Sequence, residues 1–254
     1  MPRCETTKQS SVCTGPNPIE RVQPFPTSGP LLKNMNMPLP KLASKLDGVH
    51  GSANSYVVGS VSYHGKSNQF KQRGSAPNFQ GDVLTLCTCK HQMRSRKSAD
   101  EWESNVWIAG FTSRTIHKNR HWLVYLAKVQ WAYDSHCELW IDMNDKSRTA
   151  KAAHLHYLGD MFKPKTPYPK GKARHSAGRY YTPPCHSHRS SPNVNAWRKD
   201  IQYRHAVSSR RAALLRADPK RTFLWSEPLV YLTQKHCRDY AAWPTIRDLV
   251  DALE

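Results

Sequence analysis

The sequence lacks the features that mark the commonest enzyme and membrane-protein classes. It contains no Walker A loop, no Gly-x-Gly-x-x-Gly and no Gly-x-Ser-x-Gly, so nucleotide hydrolysis, dinucleotide-dependent redox and α/β-hydrolase chemistry have no motif to support them. No run approaches the roughly 20 apolar residues of a membrane-spanning helix, and no basic amphipathic helix stands out. The N-terminal residues also lack the apolar core of a secretory signal, which favours a cytoplasmic location and no membrane partner.

Cysteine pairs at metal-ligand spacing are also missing. The seven cysteines are odd in number and scattered, which favours reduced thiols over a disulfide framework. Cys87-Thr88-Cys89 is too tight for a zinc knuckle, so core packing is favoured over a redox pair or half of a metal site. A metal site remains possible, because each of two histidine pairs could bind a metal ion together with Asp160 or Cys185. The pairs are His154-Leu155-His156 and His186-Ser187-His188, but a chain with 13 histidines is expected to contain such pairs by chance. No metal or cofactor is therefore assigned.

Acidic residues are scarce in relation to basic ones. There are 19 Asp and Glu against 38 Lys and Arg, a net charge of +19, which favours a polyanionic partner such as DNA. Ten of the basic residues lie in 151–199, where prolines and glycines predict irregular loops and tyrosines offer stacking faces. The predicted contacts with the DNA backbone are Lys163, Lys165, Lys170, Lys172, Arg174, Arg179 and Arg189. A merely solubilising insertion is the alternative.

The apolar patterns predict an α+β fold, with a strand-rich mixed or barrel-like sheet, peripheral helices and long basic loops. Residues 1–49 are predicted to form a proline-rich arm or linker, and 50–254 a single domain. Strands are predicted at Ser55–Tyr63, Val83–Cys89, Asn105–Phe111 and His121–Tyr133, and at Thr222–Leu232 with a break at Pro228. Helices are predicted within Ile201–Leu215, most strongly at Ser208–Leu215, and at Pro244–Leu253. His91–Ser104 is left as a short helix or loop, and Ser135–Met143 as a strand continuation or a short helix. A helix over His121–Tyr133 also remains open.

In the stretch Ser75–Gly110, a predicted turn, a strand, a group of cationic residues and a second strand follow one another without interruption. Ala76-Pro77-Asn78 and the following Gly81-Asp82 predict a reversing turn, because these residues fix or tolerate turn conformations. Neither face of the strand that follows is strongly polar, which predicts a central position in the sheet. Lys90, Arg94 and their basic neighbours cluster at its end and are suited to an anion, although a solvated basic loop is equally compatible.

The same residues resemble a known family. Five segments resemble motifs of the nucleotide modification associated domain 2 family and occur in the same order as in that family. They are Ala76-Pro77-Asn78, Leu84-Thr85-Leu86-Cys87, Cys89-Lys90, Arg94 and Trp107-Ile108-Ala109-Gly110. Later segments that fit in order are Leu123-Val124-Tyr125, Gly159-Asp160-Met161-Phe162 and Phe223-Leu224-Trp225-Ser226, so the likeness covers roughly residues 55–235. The sequence departs from the family pattern at Arg73-Gly74, at His91 and at Asn105-Val106.

The resemblance implies a protein from a system that modifies or hypermodifies bases in DNA, in a phage or bacterial-defence context. The strand-rich pattern predicts a barrel similar to the PUA, EVE and ASCH folds. The residues expected to bind a nucleotide or base are Asn78, Thr85, Cys89, Lys90, Arg94 and Trp107. Candidates for general acid–base work are Asp160, Tyr180 and His186, although their spacing does not single out a pair.

Three functions are compatible with these residues. The first is an enzyme that modifies or processes a nucleobase or nucleotide in DNA, acting on a single strand or a flipped base. The second is a reader that binds a modified base in a PUA-like pocket without chemistry. The third is a general nucleic-acid-binding protein whose affinity comes from charge alone.

Overall fold

The structure is a computed structural model, and its description covers 25–74, 76–152, 160–183, 197–236 and 240–254. Within these residues it shows an α+β protein built on a curled mixed sheet, as the sequence predicts. Its strands are β1 Ala53–Val57, β2 Val61–His64, β3 Gln69–Gln72, β4 Thr85–Leu86, β5 Trp107–Phe111, β6 His121–Tyr133, β7 Leu214–Leu224, β8 Tyr231–Leu232 and β9 Ala241–Trp243.

Short helices surround the sheet. They are α1 Leu39–Leu46, α2 His91–Arg94, α3 Ala99–Glu103, α4 His136–Asp142, α5 Asp145–Ala152, α6 Trp197–Gln202 and α7 Ile246–Asp251, with 3₁₀ turns at Pro30–Asn34, Gly65–Ser67, Arg114–Ile116, Gly171–His175 and Ala177–Arg179. The predicted C-terminal helix is confirmed, and Thr245 and Asp248 form a reciprocal capping box at its start. The short-helix alternatives for His91–Ser104 and Ser135–Met143 are the correct ones.

The long strand β6 organises the sheet, whose main order is β4-β7-β6-β5-β1-β9, with β8 paired to the start of β6. The pairs are antiparallel except β1 with β5, and β2 and β3 form a separate hairpin. A register shift opposite Gly110 interrupts the alternation of β6, so Val124 and Tyr125 both pack in the same apolar cluster. A Cβ atom on Gly110 would lie 2.3 Å from the Tyr125 ring, so only glycine leaves room for this tyrosine.

The two faces of the sheet bury separate apolar clusters. One face packs against α1 and α7, where Leu42 and Leu249 are completely buried. The other face packs against the β2–β3 hairpin, the turn before β4 and α3, which contributes the fully buried Trp102. The described residues therefore cover both faces of the sheet. Functional side chains are expected at its edges or at the ends of its strands.

The proline-rich segment belongs in part to this packed domain. Residues 1–24 lie outside the described residues, but 25–49 contain a 3₁₀ turn and α1. Leu31 is completely buried, and the Asn34 side-chain amide donates to the carbonyls of Lys220 and Thr222 on β7. The packed structure thus begins well before residue 50, the predicted start of the domain, because residues between the prolines have partners on β7.

The strand predicted at Val83–Cys89 is shorter and differently placed than expected. Only Thr85–Leu86 are extended, and they pair with β7 at the end of the sheet instead of its centre. The carbonyls of Cys87 and Cys89 accept hydrogen bonds from the Arg94 side chain instead of a neighbouring strand. Burial of both faces comes from surrounding loops and helices, which the apolar pattern could not distinguish from a central position.

The helix predicted at Ser208–Leu215 is wrong. Leu214 and Leu215 begin β7, where they pair with Tyr133 and Ala132 of β6, so tertiary pairing overrides the local pattern. The predicted strand Ser55–Tyr63 is two strands in different sheets, and Thr222–Leu232 is divided between the end of β7 and β8. The strand predictions at Asn105–Phe111 and His121–Tyr133 are confirmed.

Candidate functional site

Three residues predicted from sequence meet in one buried polar cluster. Asn78 and Thr85 pair across the turn through two backbone hydrogen bonds of 2.7 and 2.8 Å. The Thr85 hydroxyl donates to an Asp160 carboxylate oxygen at 2.9 Å, and all three residues have no exposed surface. The cluster therefore joins the turn before β4 to the start of the basic segment. The Asn78 side-chain nitrogen has no hydrogen-bond partner among the described residues.

Lys151 completes this cluster and was not singled out in the sequence. Its ammonium donates to the carbonyls of Asn78 at 2.6 Å and Val83 at 2.5 Å and to the Asn78 side-chain oxygen at 3.2 Å. Helix α5 holds it there through close packing on Gly81, where an added Cβ would lie 2.8 Å from the Ser147 Cα. Burial lowers the pKa of Lys151 to about 8, although the nearby Asp160 carboxylate opposes the shift.

The Lys151 ammonium gives the protein a predicted pH dependence of stability. The folded pKa lies below the unfolded value of 10.5, so the unfolded chain binds more protons between about pH 8 and 10.5. Stability from this group is therefore expected to rise with pH across that window. At each pH, the unfolding free energy of a Lys151→Met variant is subtracted from that of the wild type. The difference gives the contribution of Lys151 and removes that of the cysteines and tyrosines that titrate nearby.

The control for this measurement is Lys146→Met, one turn earlier on α5, where the lysine side chain is exposed and pairs with Asp82. This control is expected to leave the rise with pH in place. A wild-type minus Lys151→Met difference that is flat from pH 8 to 10.5 would contradict the lowered pKa.

Arg94 lies inside the fold and not on an open pocket. It is 1% exposed, and its three guanidinium nitrogens donate to the carbonyls of Cys87, Cys89, Ala212 and Ala213. Burial lowers its pKa from the ordinary arginine value, with the neighbouring thiols and Asp200 opposing the shift. The side chain predicted to bind a nucleotide is therefore fully occupied in holding the chain after β4 against the strand entry before β7.

Lys90 and Cys89 lie beside a buried tyrosine pair. The Tyr125 hydroxyl donates to the Tyr56 hydroxyl at 2.8 Å, and the Lys90 ammonium lies 5.3 Å from the centre of the Tyr56 ring. Lys90 has a left-handed backbone with φ of 55°, which begins α2. Burial, and next the Asp200 carboxylate, raise the pKa of Cys89 to about 11, so its sulfur is a neutral thiol that donates to the Ala76 carbonyl.

The remaining predicted site residues lie elsewhere. Trp107 is completely buried in the cluster that faces α1 and α7, whereas Cys89 packs against the cluster on the other face. Tyr180 is 2% exposed in a separate cluster with Phe162, and its hydroxyl donates to the Arg174 carbonyl. Burial raises its pKa above the ordinary tyrosine value. His186 lies outside the described residues, and the structure does not place Asp160 and Tyr180 in one cluster.

Residues 160–183, the longest described stretch of the basic segment, present most of their charge to solvent. Five of its predicted DNA contacts are exposed and form no ion pair with described residues: Lys163, Lys165, Lys170, Lys172 and Arg179. Arg174 differs, because it pairs with Glu138 on α4. Tyr168 and Tyr181 are 40% and 49% exposed, and the Lys163 ammonium lies 5.6 Å from the centre of the Tyr181 ring. Arg189 lies outside the described residues.

Two cavities formed by described residues lie away from the predicted base pocket. The larger of these two, about 360 Å³, lies at the start of β6 beside Arg120 and Lys235. A small one of about 10 Å³ lies between α4 and α6, beside Asp200 and His175, whose pKa burial lowers to about 4. No group of three or more His, Cys, Asp or Glu side chains within the described ranges is placed to hold a metal ion.

Comparison with known proteins finds no matching family model, no matching curated protein and no matching solved structure. None of the helices formed by the described residues is both long and apolar enough to cross a membrane. Function therefore has to be inferred from the side chains and their surroundings.

Proposed function

We propose that the protein binds DNA through segment 160–183 and modifies or processes a nucleobase or nucleotide there. The main support is that this segment has five exposed cations without a carboxylate partner among the described residues, together with two exposed tyrosines. Cations without carboxylate partners are free to neutralise phosphates, and exposed aromatic rings can stack on unpaired bases. The cytoplasmic location predicted from the sequence is part of the proposal.

The polar cluster supports a role near the base. Asp160 begins the described stretch 160–183 and is a hydrogen-bond partner of Thr85, so the proposed DNA surface is adjacent in the chain to the buried cluster. That cluster contains a lysine with a pKa of about 8 next to a carboxylate, a combination suited to proton transfer. The cluster has no exposed surface, so a base would contact it only after neighbouring side chains move.

A reader of a modified base is the second candidate. It is favoured by the internal hydrogen bonding of the cluster, because Lys151 donates to three oxygens and Thr85 already donates to Asp160. Cys89 is a neutral thiol and therefore not poised as a nucleophile. A purely electrostatic binder is the third candidate, and its affinity would depend on salt alone.

One experiment separates these functions. The full chain is incubated with modified and unmodified DNA, single- and double-stranded, and the nucleosides are then analysed by mass spectrometry alongside affinity at several salt concentrations. A changed nucleoside is expected for the enzyme. An unchanged profile with tight binding to one modified base would replace it with the reader, and binding indifferent to base identity that is lost by about 0.5 M salt would leave only the electrostatic binder.

A further inference from the structure

The larger cavity has features of a second site for anions. Its volume of about 360 Å³ falls in the range of ~300–1,000 Å³ that is usual for small-molecule sites. It is formed where the loop after β5 enters β6 and where the chain leaves β8. These are loops at strand ends, where binding residues commonly lie on a rigid sheet.

Positive charge dominates the rim of this cavity. Arg114, Arg120 and Lys235 line it, and none of them forms an ion pair with a described residue. The one acidic side chain in the lining, Glu254, accepts a hydrogen bond from the Tyr231 hydroxyl. The Arg120 guanidinium lies 3.9 Å from the centre of the Tyr231 ring, which fixes its plane at the opening. Two guanidinium groups and an ammonium form a donor set that matches a phosphate group.

The buried part of the cavity contributes an acceptor. His121 is 6% exposed, and its Nδ1 donates to the Thr112 carbonyl at 2.8 Å, which fixes the proton on that nitrogen. Burial lowers the pKa of His121, so the ring is neutral near pH 7. Its Nε2 consequently carries a lone pair, and this atom has no hydrogen-bond partner among the described residues.

We propose that this cavity binds a small phosphomonoester that also carries a hydroxyl or amino group, as nucleoside monophosphates and sugar phosphates do. The phosphate would contact Arg114, Arg120 and Lys235 at the rim. The hydroxyl or amino group would donate to His121 Nε2, which has no exposed surface in this structure, so neighbouring side chains must move for that contact to form. This arrangement gives the rim cations an anionic partner, although Arg114 already donates to the Asn119 carbonyl, and it gives His121 Nε2 a donor.

This cavity is separate from the proposed DNA surface. His121 begins β6, whereas the basic segment packs on α4, which follows the other end of the same strand. Thirteen strand residues at ~3.3 Å each place the two regions about 40 Å apart along the strand. The phosphomonoester site therefore goes beyond the proposed DNA function and can be tested without DNA.

Titration calorimetry of the full chain tests the site with four kinds of probe: inorganic phosphate, deoxynucleoside monophosphates, ribose 5-phosphate and the unphosphorylated nucleosides. At least one phosphomonoester is expected to bind about tenfold or more tightly than inorganic phosphate, and the nucleosides are expected not to bind. Whether the nucleotide or the sugar phosphate binds more tightly identifies the source of the phosphate. No heat from any phosphomonoester at millimolar concentration would overturn the proposal.

Two variants distinguish the rim from the buried histidine. Arg120→Gln with Lys235→Gln is expected to weaken phosphomonoester binding about tenfold or more, whereas the matched double change Lys165→Gln with Lys172→Gln leaves it unchanged. His121→Phe is expected to abolish the preference over inorganic phosphate. The proposal would be overturned if both double variants lost the same affinity for the phosphomonoester. It would also be overturned if the rim variant bound the phosphomonoester as well as the wild type and lost only its affinity for an oligonucleotide. The rim residues are exposed, so this test does not depend on whether the His121 variant folds.

Discussion

An Arg94→Met variant is expected to lose about 3–5 kcal/mol of unfolding free energy, because it removes the partner of four buried or half-buried carbonyls. Methionine retains an unbranched apolar stem but donates nothing, so the carbonyls of Cys87, Cys89, Ala212 and Ala213 lose their partner without gaining water. Urea denaturation followed by circular dichroism measures the change. Any loss of ligand binding in this variant would then follow from unfolding.

Arg96→Ala is the matched control, since it removes an arginine two residues away whose guanidinium is exposed above the Tyr240 ring. It is expected to change stability by less than about 1 kcal/mol. If Arg94→Met were as stable as this control, and DNA or nucleotide binding were lost nonetheless, Arg94 would be a ligand contact as the sequence predicts and not a structural residue.

Neutralising the basic segment is expected to weaken DNA binding about 100-fold or more at physiological salt. The variant changes Lys163, Lys165, Lys170, Lys172 and Arg179 to glutamine. Each lost phosphate contact should reduce the slope of log affinity against log salt by about 0.9. These side chains are exposed, so the melting temperature should change little. Fluorescence anisotropy with a labelled oligonucleotide at several salt concentrations gives both the affinity and the slope.

A control variant with the same change in net charge separates a specific surface from the general charge of the protein. It replaces five exposed basic residues outside the segment with glutamine: Lys33, Lys41, Lys66, Lys220 and Arg221. Its affinity is expected to fall much less than that of the first variant, because long-range attraction is screened beyond about 10 Å at 0.1 M salt. Equal losses in the two variants would show that binding follows net charge and not segment 160–183.

The elements that sequence predicts correctly have strong local patterns. β6 is a long β-branched and aromatic run, and α7 combines a Thr245 cap with apolar residues on one face. Leu214–Leu215 has a local pattern that favours a helix, and pairing with β6 makes it extended instead. The segment 25–49 was predicted as an arm from its prolines, although its few apolar residues are enough to anchor it on β7.

The sequence predicted which residues form the candidate site better than it predicted what each residue does. Asn78, Thr85 and Asp160 come together as a polar cluster, but Lys151 was counted only as part of a basic composition. Its burial depends on the docking of α5 onto Gly81, which is a contact between distant segments. Arg94 was predicted as a ligand contact because a cation after a strand suits an anion, and a sequence does not show which carbonyls lie within reach.

The sequence by itself determined the α+β class, the capped C-terminal helix and the position of the basic segment, and it favoured a long strand at His121–Tyr133, because these depend on residue type and short-range spacing. The tertiary structure alone decided which charged groups are buried and which reach solvent. Arg94 and Lys151 have the same formal charge as Lys165, yet the first two satisfy carbonyls inside the fold while Lys165 is exposed. The Cys87 and Cys89 carbonyls follow the end of β4, and Arg94 satisfies them in place of a neighbouring strand.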